Sequence, residues 1–190
     1  MADEGTYKSL FDAAMKLIDG RIELDGRPLP RPGFLERRRL LRALRLLERA
    51  AEVAPPHGAA SLVAAKVEQR LGNAERTLHW LRKAQTMSPD NLIVAIELGA
   101  TLFQQGFHGE AVRVLSTAAT LYPDDPRIQS NLGIALLMAG DVPASIQAFE
   151  RLSALEPEHG MNRRLLALAR EVEEGRKSRP TNQGELARSL

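Results

Sequence analysis

Apolar residues recur along this chain at intervals of three and four, the spacing of one helix face. Residues 6–19 place Tyr7, Leu10, Phe11, Ala14, Leu17 and Ile18 in that way. They predict an amphipathic helix with Thr6 as its N-cap and Gly20 as its stop. Its apolar face would pack either within the chain or on a second subunit, which leaves homo-oligomerisation through this helix open. Residues 21–33, RIELDGRPLPRPG, hold three prolines and two glycines, and so many breakers exclude a regular helix. They read as a connector, or alternatively as a docking strand. Residues 34–54 return to helical spacing and stop before Pro55.

From there the pattern becomes periodic. Pro55, Pro89, Pro123 and Pro157 stand 34 residues apart. Large apolar residues keep the same step at Leu47, Leu81, Leu115 and Phe149, and at Val53, Met87, Leu121 and Leu155. Small residues do so at Ala65, Gly99, Gly133 and Ala167, and Ala50, Ala84 and Ala118 lead to Leu152. Ala43, Thr77, Ala111 and Ser145 form a further series, and Gly72, Gly106 and Gly140 mark the middle of each unit. Agreement of so many residue classes in one phase defines a repeat. Residues 58–91, 92–125 and 126–159 are its three complete units, each reading helix, turn at glycine, helix, proline. Asn73 and Asp141 are placed to cap second helices, and Asp90-Asn91 and Asp124-Asp125 to cap first ones. Pro126 suits a first helical position.

The flanks are partial. Residues 34–57 form a long helix whose second half is in register through Ala43, Leu47, Ala50 and Val53, so this is a half-repeat. Residues 160–175 continue the phase but replace Leu136 by Arg170 and add Glu171, Glu173 and Glu174. That is the polar outer side required of a cap, since the last unit of a stacked array would otherwise expose an apolar face. Residues 176–190, RKSRPTNQGELARSL, read as a mobile basic tail, and residues 1–33 as an N-terminal helix plus linker.

Composition narrows the function. The chain has 190 residues, 44% hydrophobic, with mean hydropathy −0.24, which describes a globular chain. It has no cysteine, which removes disulfides, thiolate metal sites and cysteine nucleophiles together. The start MADEGTYKSLF lacks the basic and apolar stretches of a secretory signal. No run approaches the ~20 apolar residues of a membrane helix, so membrane insertion is not expected and the expected location is cytoplasmic.

The net charge of +2 is uneven: residues 1–57 carry 11 basic and 9 acidic groups, residues 58–159 carry 8 and 11, and residues 160–190 carry 7 and 4. Arg38, Arg42, Arg45 and Arg49 fall on one face of the 34–54 helix. They make either a solvated face offset by Glu48 and Glu52 or a docking site for an acidic partner. With the repeats mildly acidic, nucleic acid is not the expected partner.

The 34-residue units resemble tetratricopeptide repeats. The third is nearest, through Asn131-Leu132-Gly133, Leu136, Gly140-Asp141, Ser145-Ile146, Phe149 and Pro157. The second matches through Leu98-Gly99, Leu102, Gly106, Glu110-Ala111, Ala118 and Pro123. The first keeps Ala65, Gly72, Leu81, Ala84 and Pro89 but departs at Ser61, Glu68 and Thr77. The resemblance implies an all-α, right-handed solenoid of helical hairpins, with N-terminal helices and a C-terminal capping helix. It also implies a concave groove lined by first helices. Transferred to this chain, the groove takes Leu62, Lys66 and Arg70 from the first unit, with Ala59 and Gln69. From the second it takes Ile93, Ile96, Ala100 and Phe103, with Gln104, and from the third Arg127, Asn131, Ile134, Leu137 and Met138, with Ser130. Lys66, Arg70 and Arg127 would form a basic rim. The apolar lining would hold an extended or helical segment of a protein partner, unless the chain's own segments cover it.

The lysine and asparagine pattern with which some members clamp a terminal carboxylate is not kept: Leu62, Lys66, Glu97 and Asn131 stand at its positions, and only Arg127 preserves the charge. In size and architecture the array is similar to the small type III secretion chaperones. The implied role is an adaptor or chaperone-like interaction module. The alternative is a structural or assembly subunit of a larger bacterial complex that docks through its N-terminal helix, convex face or arginine-rich helix.

Nothing points to catalysis. No phosphate loop, dinucleotide fingerprint, zinc spacing or nucleophile motif is present. His57, His79, His108 and His159 are spread over different units, which does not predict a shared metal site, and no cofactor is expected.

Overall fold

The computed structural model describes residues 4–22, 31–53 and 58–190; His57 and Pro55 lie outside them. The described residues form ten α-helices and no strand. They are α1 (Glu4–Ile18), α2 (Phe34–Val53), α3 (Ala59–Leu71), α4 (Ala74–Met87), α5 (Leu92–Gln104), α6 (His108–Leu121), α7 (Pro126–Ala139), α8 (Val142–Leu155), α9 (Gly160–Glu173) and α10 (Gln183–Ser189). The chain divides into two compact bodies, Met1–Val94 and Ala95–Leu190.

The same local chemistry ends the first helix of each repeat unit. Gly72, Gly106 and Gly140 have φ of 82°, 82° and 97°, a conformation that other residues avoid. The residue after each glycine donates its N–H back to the carbonyl five positions earlier: Asn73 to Glu68, Phe107 to Leu102 and Asp141 to Leu136. This satisfies carbonyls that the helix end leaves orphaned. Second helices close differently. The N–H of Ser88, Tyr122 and Glu156 reaches the carbonyl of Ala84, Ala118 and Leu152. The next residue is a ladder proline, which cannot continue the helix.

In the N-terminal body α1 packs on α2, α2 on α3, and α3 on α4. Ala14 and Ile18 of α1 are buried, as are Leu40, Ala43, Leu47 and Ala50 of α2. The second half of α2 is therefore not an unaccompanied half-repeat, because α1 packs on α2 as α3 packs on α4. The 34-residue phase hides this because residues 19–33 separate α1 from α2, where only Gly72 and Asn73 separate α3 from α4.

In the C-terminal body α6, α7, α8 and α9 pack in sequence. The small residues of the repeat are explained by what faces them. A Cβ on Gly99 would fall 2.6 Å from Leu115 Cγ, and one on Gly133 would fall 2.6 Å from Phe149 Cδ1. Each glycine thus admits the large residue sixteen positions later, on the partner helix. Phe149, Leu152, Leu165, Leu168, Ala169, Leu137 and Leu186 form one buried cluster. Leu186 belongs to α10, so the segment that reads as a mobile polar tail contains a helix with a buried leucine.

Caps follow the sequence at three predicted positions and depart at a fourth. Asn91 accepts from Val94 N at 3.1 Å. Asp125 accepts from Arg127 N and Ile128 N, with Pro126 at the start of α7, and Asp141 accepts from Ala144 N. Asn73 makes no cap bond. Its side-chain amide instead donates to Glu68 Oε2 at 2.5 Å, because Glu68 is fully buried and needs a donor.

Candidate interaction groove

In the C-terminal body the repeat sets α5 and α7 in one phase, so Ala100 and Ile134 occupy equivalent positions 34 residues apart. Together with Phe103 and Asn131 they border a hollow of about 400 Å³. Gly99, having no side chain, leaves Leu115 of α6 at its wall, and Leu186, Ala187 and Leu190 close another side. Phe103 stands beside His108, with ring centroids 5.5 Å apart. The lining is mainly apolar, with the Asn131, Gln104 and Gln183 amides as its polar groups. Four residues expected in the groove, Ala100, Phe103, Asn131 and Ile134, are thus brought together, and all four are half-buried.

Two others are not available there. Leu137 is 0% and Met138 2% exposed. Both belong to a helix buried on most of its surface, because α7 lies among α6, α8 and α9. Leu137 joins the cluster with Phe149 and Leu168. The Met138 carbonyl accepts a hydrogen bond from Arg179, a cation at the C-terminal end of α7 where the helix dipole favours positive charge.

The expected basic rim does not assemble as free charge. Arg127 turns back on Asp125, with Nη2 2.7 Å from Oδ2 and Nε 3.2 Å from Oδ1. That hydrogen-bonded guanidinium, with the Ile128 N–H, holds the Asp125 carboxyl below its ordinary range against the opposing effect of burial. Arg70 is 10% exposed; its Nη2 pairs with Glu36 at 2.8 Å and its Nε donates to the Arg21 carbonyl. Its charge is thereby spent on the body's own α2. Around it Asp19, Arg21, Leu35, Glu36 and Arg39 border a separate hollow of about 410 Å³. Leu62, Lys66 and Ile96 are half-buried, and Ile93 is exposed.

Arg38, Arg42, Arg45 and Arg49 are all exposed on α2, and Arg38 lies over the Phe34 ring at 5.9 Å. Glu48, expected to offset them along the helix, pairs instead with Arg76 of α4 at 2.7 Å. On α1, burial raises the Tyr7 phenol, partly offset by a hydrogen bond with the Ala60 backbone.

Sequence reasoning missed α10. Its signal is a reciprocal cap. Asn182 accepts from Glu185 N at 3.0 Å, and Glu185 accepts from Thr181 N and Oγ1 at 2.8 and 2.9 Å. A capping residue followed three positions later by Glu is a helix-start signature, here ahead of Leu186 and Leu190. Among the described residues no group of three or more His, Asp or Glu is placed to hold a metal, and no helix is long and apolar enough to cross a membrane.

No curated protein matches the sequence. Solved structures do match in fold. MamA (residues 41 to the end) from Desulfovibrio magneticus RS-1 is 17% identical with a TM-score of 0.70, over 100% of this chain and 95% of that one. YrrB, a repeat protein described as having an unusual peptide-binding site, is 19% identical with a TM-score of 0.66, over 80% and 77%. PilF of Pseudomonas aeruginosa is 23% identical with a TM-score of 0.64, over 97% and 78%. At such identities the likeness carries the fold, an all-α array of helical hairpins. The family model for the tetratricopeptide repeat matches residues 33–91 and 96–159, more than half of the sequence, and the chain belongs to the tetratricopeptide repeat family.

Proposed function

We propose that this protein is a non-catalytic interaction module, adaptor or chaperone-like in role, whose C-terminal body holds a short apolar segment of another protein. The observation that carries this reading is the hollow bordered by Ala100, Phe103, Asn131 and Ile134. Apolar walls with a few amide groups suit a segment that is bound by burial and oriented by hydrogen bonds. YrrB, whose structure is described by its peptide-binding site, supports the reading as an example of the same fold in that use. Replacing Phe103 by Glu places a charge in the apolar wall. Protein capture by immobilised full chain should then be lost while the helical circular-dichroism spectrum persists. Capture that survives this substitution unchanged would remove the groove from the reading.

A second reading rests on a different observation. The four exposed arginines of α2 form a basic face whose expected neighbour Glu48 is engaged by Arg76. An acidic partner docked there would make the chain an assembly subunit. Replacing Arg42, Arg45 and Arg49 by Ser should then abolish capture and leave Phe103→Glu without effect.

A further inference from the structure

Helix α10 forms one side of the groove of the C-terminal body. Leu186 of α10 is buried in the cluster with Leu137 and Phe149, and Leu190 packs against that cluster one helical turn later. Both, with Ala187, border the hollow faced by Ala100, Phe103 and Ile134. Three features distinguish this contact from ordinary core packing. First, α10 has seven residues, and helices that short do not persist on their own in water; its helicity depends on its cap and on its seat. Second, the seat is not filled. About 400 Å³ remain beside α10, and Ala187, which borders that space, is exposed. Third, α10 is tethered. Residues 174–182 join it to α9, with Pro180 buried and Arg179 on the Met138 carbonyl. A short tether holds a weak ligand at about millimolar effective concentration.

We propose that α10 is a displaceable internal occupant of the groove, and that the partner segment is a short amphipathic helix carrying the same leucine pair with a larger apolar residue where α10 has Ala187. This rests on the groove reading above and adds its regulation: partner and α10 exclude one another. The partner gains by filling the space that Ala187 leaves, while α10 gains by its tether. The cap is the weak point of the internal occupant. Losing the bonds among Thr181, Asn182 and Glu185 frees α10 without touching the groove wall.

The test uses the full chain and a fluorescein-labelled peptide of residues 178–190, followed by fluorescence anisotropy. The wild type should bind this peptide weakly, because its own α10 competes. Asn182→Ala/Glu185→Ala, which alters only the cap, should bind it at least tenfold more tightly. Leu186→Glu should do the same, and where that variant loses helical signal the cap variant decides. A peptide with Leu in place of Ala187 should bind the cap variant several-fold tighter still, and one with Glu at both leucine positions should not bind. Equal peptide affinity in wild type and the folded cap variant would overturn the proposal. If capture of a partner protein still depends on Phe103, the internal occupant alone falls. If peptide affinity rises tenfold while capture ignores Phe103→Glu, the groove reading falls and the internal occupant stands.

Discussion

At the repeat position where the C-terminal body buries Leu102 and Leu136, the N-terminal body buries Glu68. The backbone around the three is the same: each carbonyl accepts from the residue that follows a left-handed glycine. The side chains solve burial in opposite ways. Leu102 and Leu136 need only apolar neighbours. Glu68 takes the Asn73 amide and an ion pair with Arg76, which also reaches Glu48. A buried carboxylate without such partners would cost several kcal/mol. The N-terminal body therefore adds to its apolar core a directional polar network linking α2, α3 and α4, where the C-terminal body relies on apolar packing such as the cluster around Phe149. The repeat fixes backbone geometry and leaves the chemistry of the interior free.

That contrast is broken most severely at Phe149, which is 0% exposed and lies against Gly133. Phe149→Ala should destabilise by about 3–5 kcal/mol, measured by urea denaturation of the full chain. A loss below about 1 kcal/mol would mean that the cluster does not close the C-terminal body. The comparable change in the N-terminal body, Glu68→Ala, should cost about 1–3 kcal/mol. It strands the Asn73 amide, while half-exposed Arg76 finds water. The informative variant is Glu68→Leu, which makes the position match Leu102 and Leu136. Glu68→Leu strands the same Asn73 amide but fills the volume that alanine leaves empty, so it should be more stable than Glu68→Ala. Equal losses would show that the position needs a carboxylate for its shape as well as its charge.

These positions also mark how far the sequence could be read. The glycine turns, the proline stops and the close approaches at Gly99 and Gly133 are backbone requirements, and a 34-residue phase displays them directly. Leu137 and Met138 read as groove lining yet are buried, because α7 is buried on most of its surface and its apolar face is not a stripe. Arg70 looked like free charge because its partner Glu36 is 34 residues earlier, on a helix whose pairing with α1 the long connector conceals. The α10 helix was hidden by composition. Two leucines among polar residues give no periodic stripe, although the Asn182–Glu185 cap was present to be read.

A smaller effect is expected at Asp125, where the C-terminal body relies on polar chemistry. Its carboxylate caps α7 and holds Arg127. Asp125→Ala should cost about 1 kcal/mol. Because the folded carboxyl is held below its ordinary value, the bonus is fully present above the unfolded value of about 3.9. It is lost as pH falls through the lower folded value. Acid titration of stability should therefore be shallower in Asp125→Asn than in the wild type across that window. Identical profiles would mean that Arg127 gives the cap no charge-dependent strength.

The smallest effect sharpens the comparison, because an Arg–Glu ion pair in each body can be set against the other in different surroundings. Arg170 and Glu150 are 2.9 Å apart with side chains 53% and 50% exposed. Arg70 and Glu36 are 2.8 Å apart at 10% and 28%, and Arg70 also donates to the Arg21 carbonyl. Water and salt screen the first pair, so a double-mutant cycle should return a coupling of about 0.5 kcal/mol or less, vanishing at 1 M salt. The second pair is shielded and its guanidinium is fixed by a second acceptor, so its coupling should be larger and should persist at that salt concentration. The single changes should differ in the same order. Arg70→Ala strands Glu36 and the Arg21 carbonyl in a partly closed site, whereas Arg170→Ala leaves Glu150 in solvent. Equal couplings with equal salt dependence would mean that the polar closure of the N-terminal body is as dispensable as a surface contact, and the distinction between the two bodies would then rest on Glu68 alone.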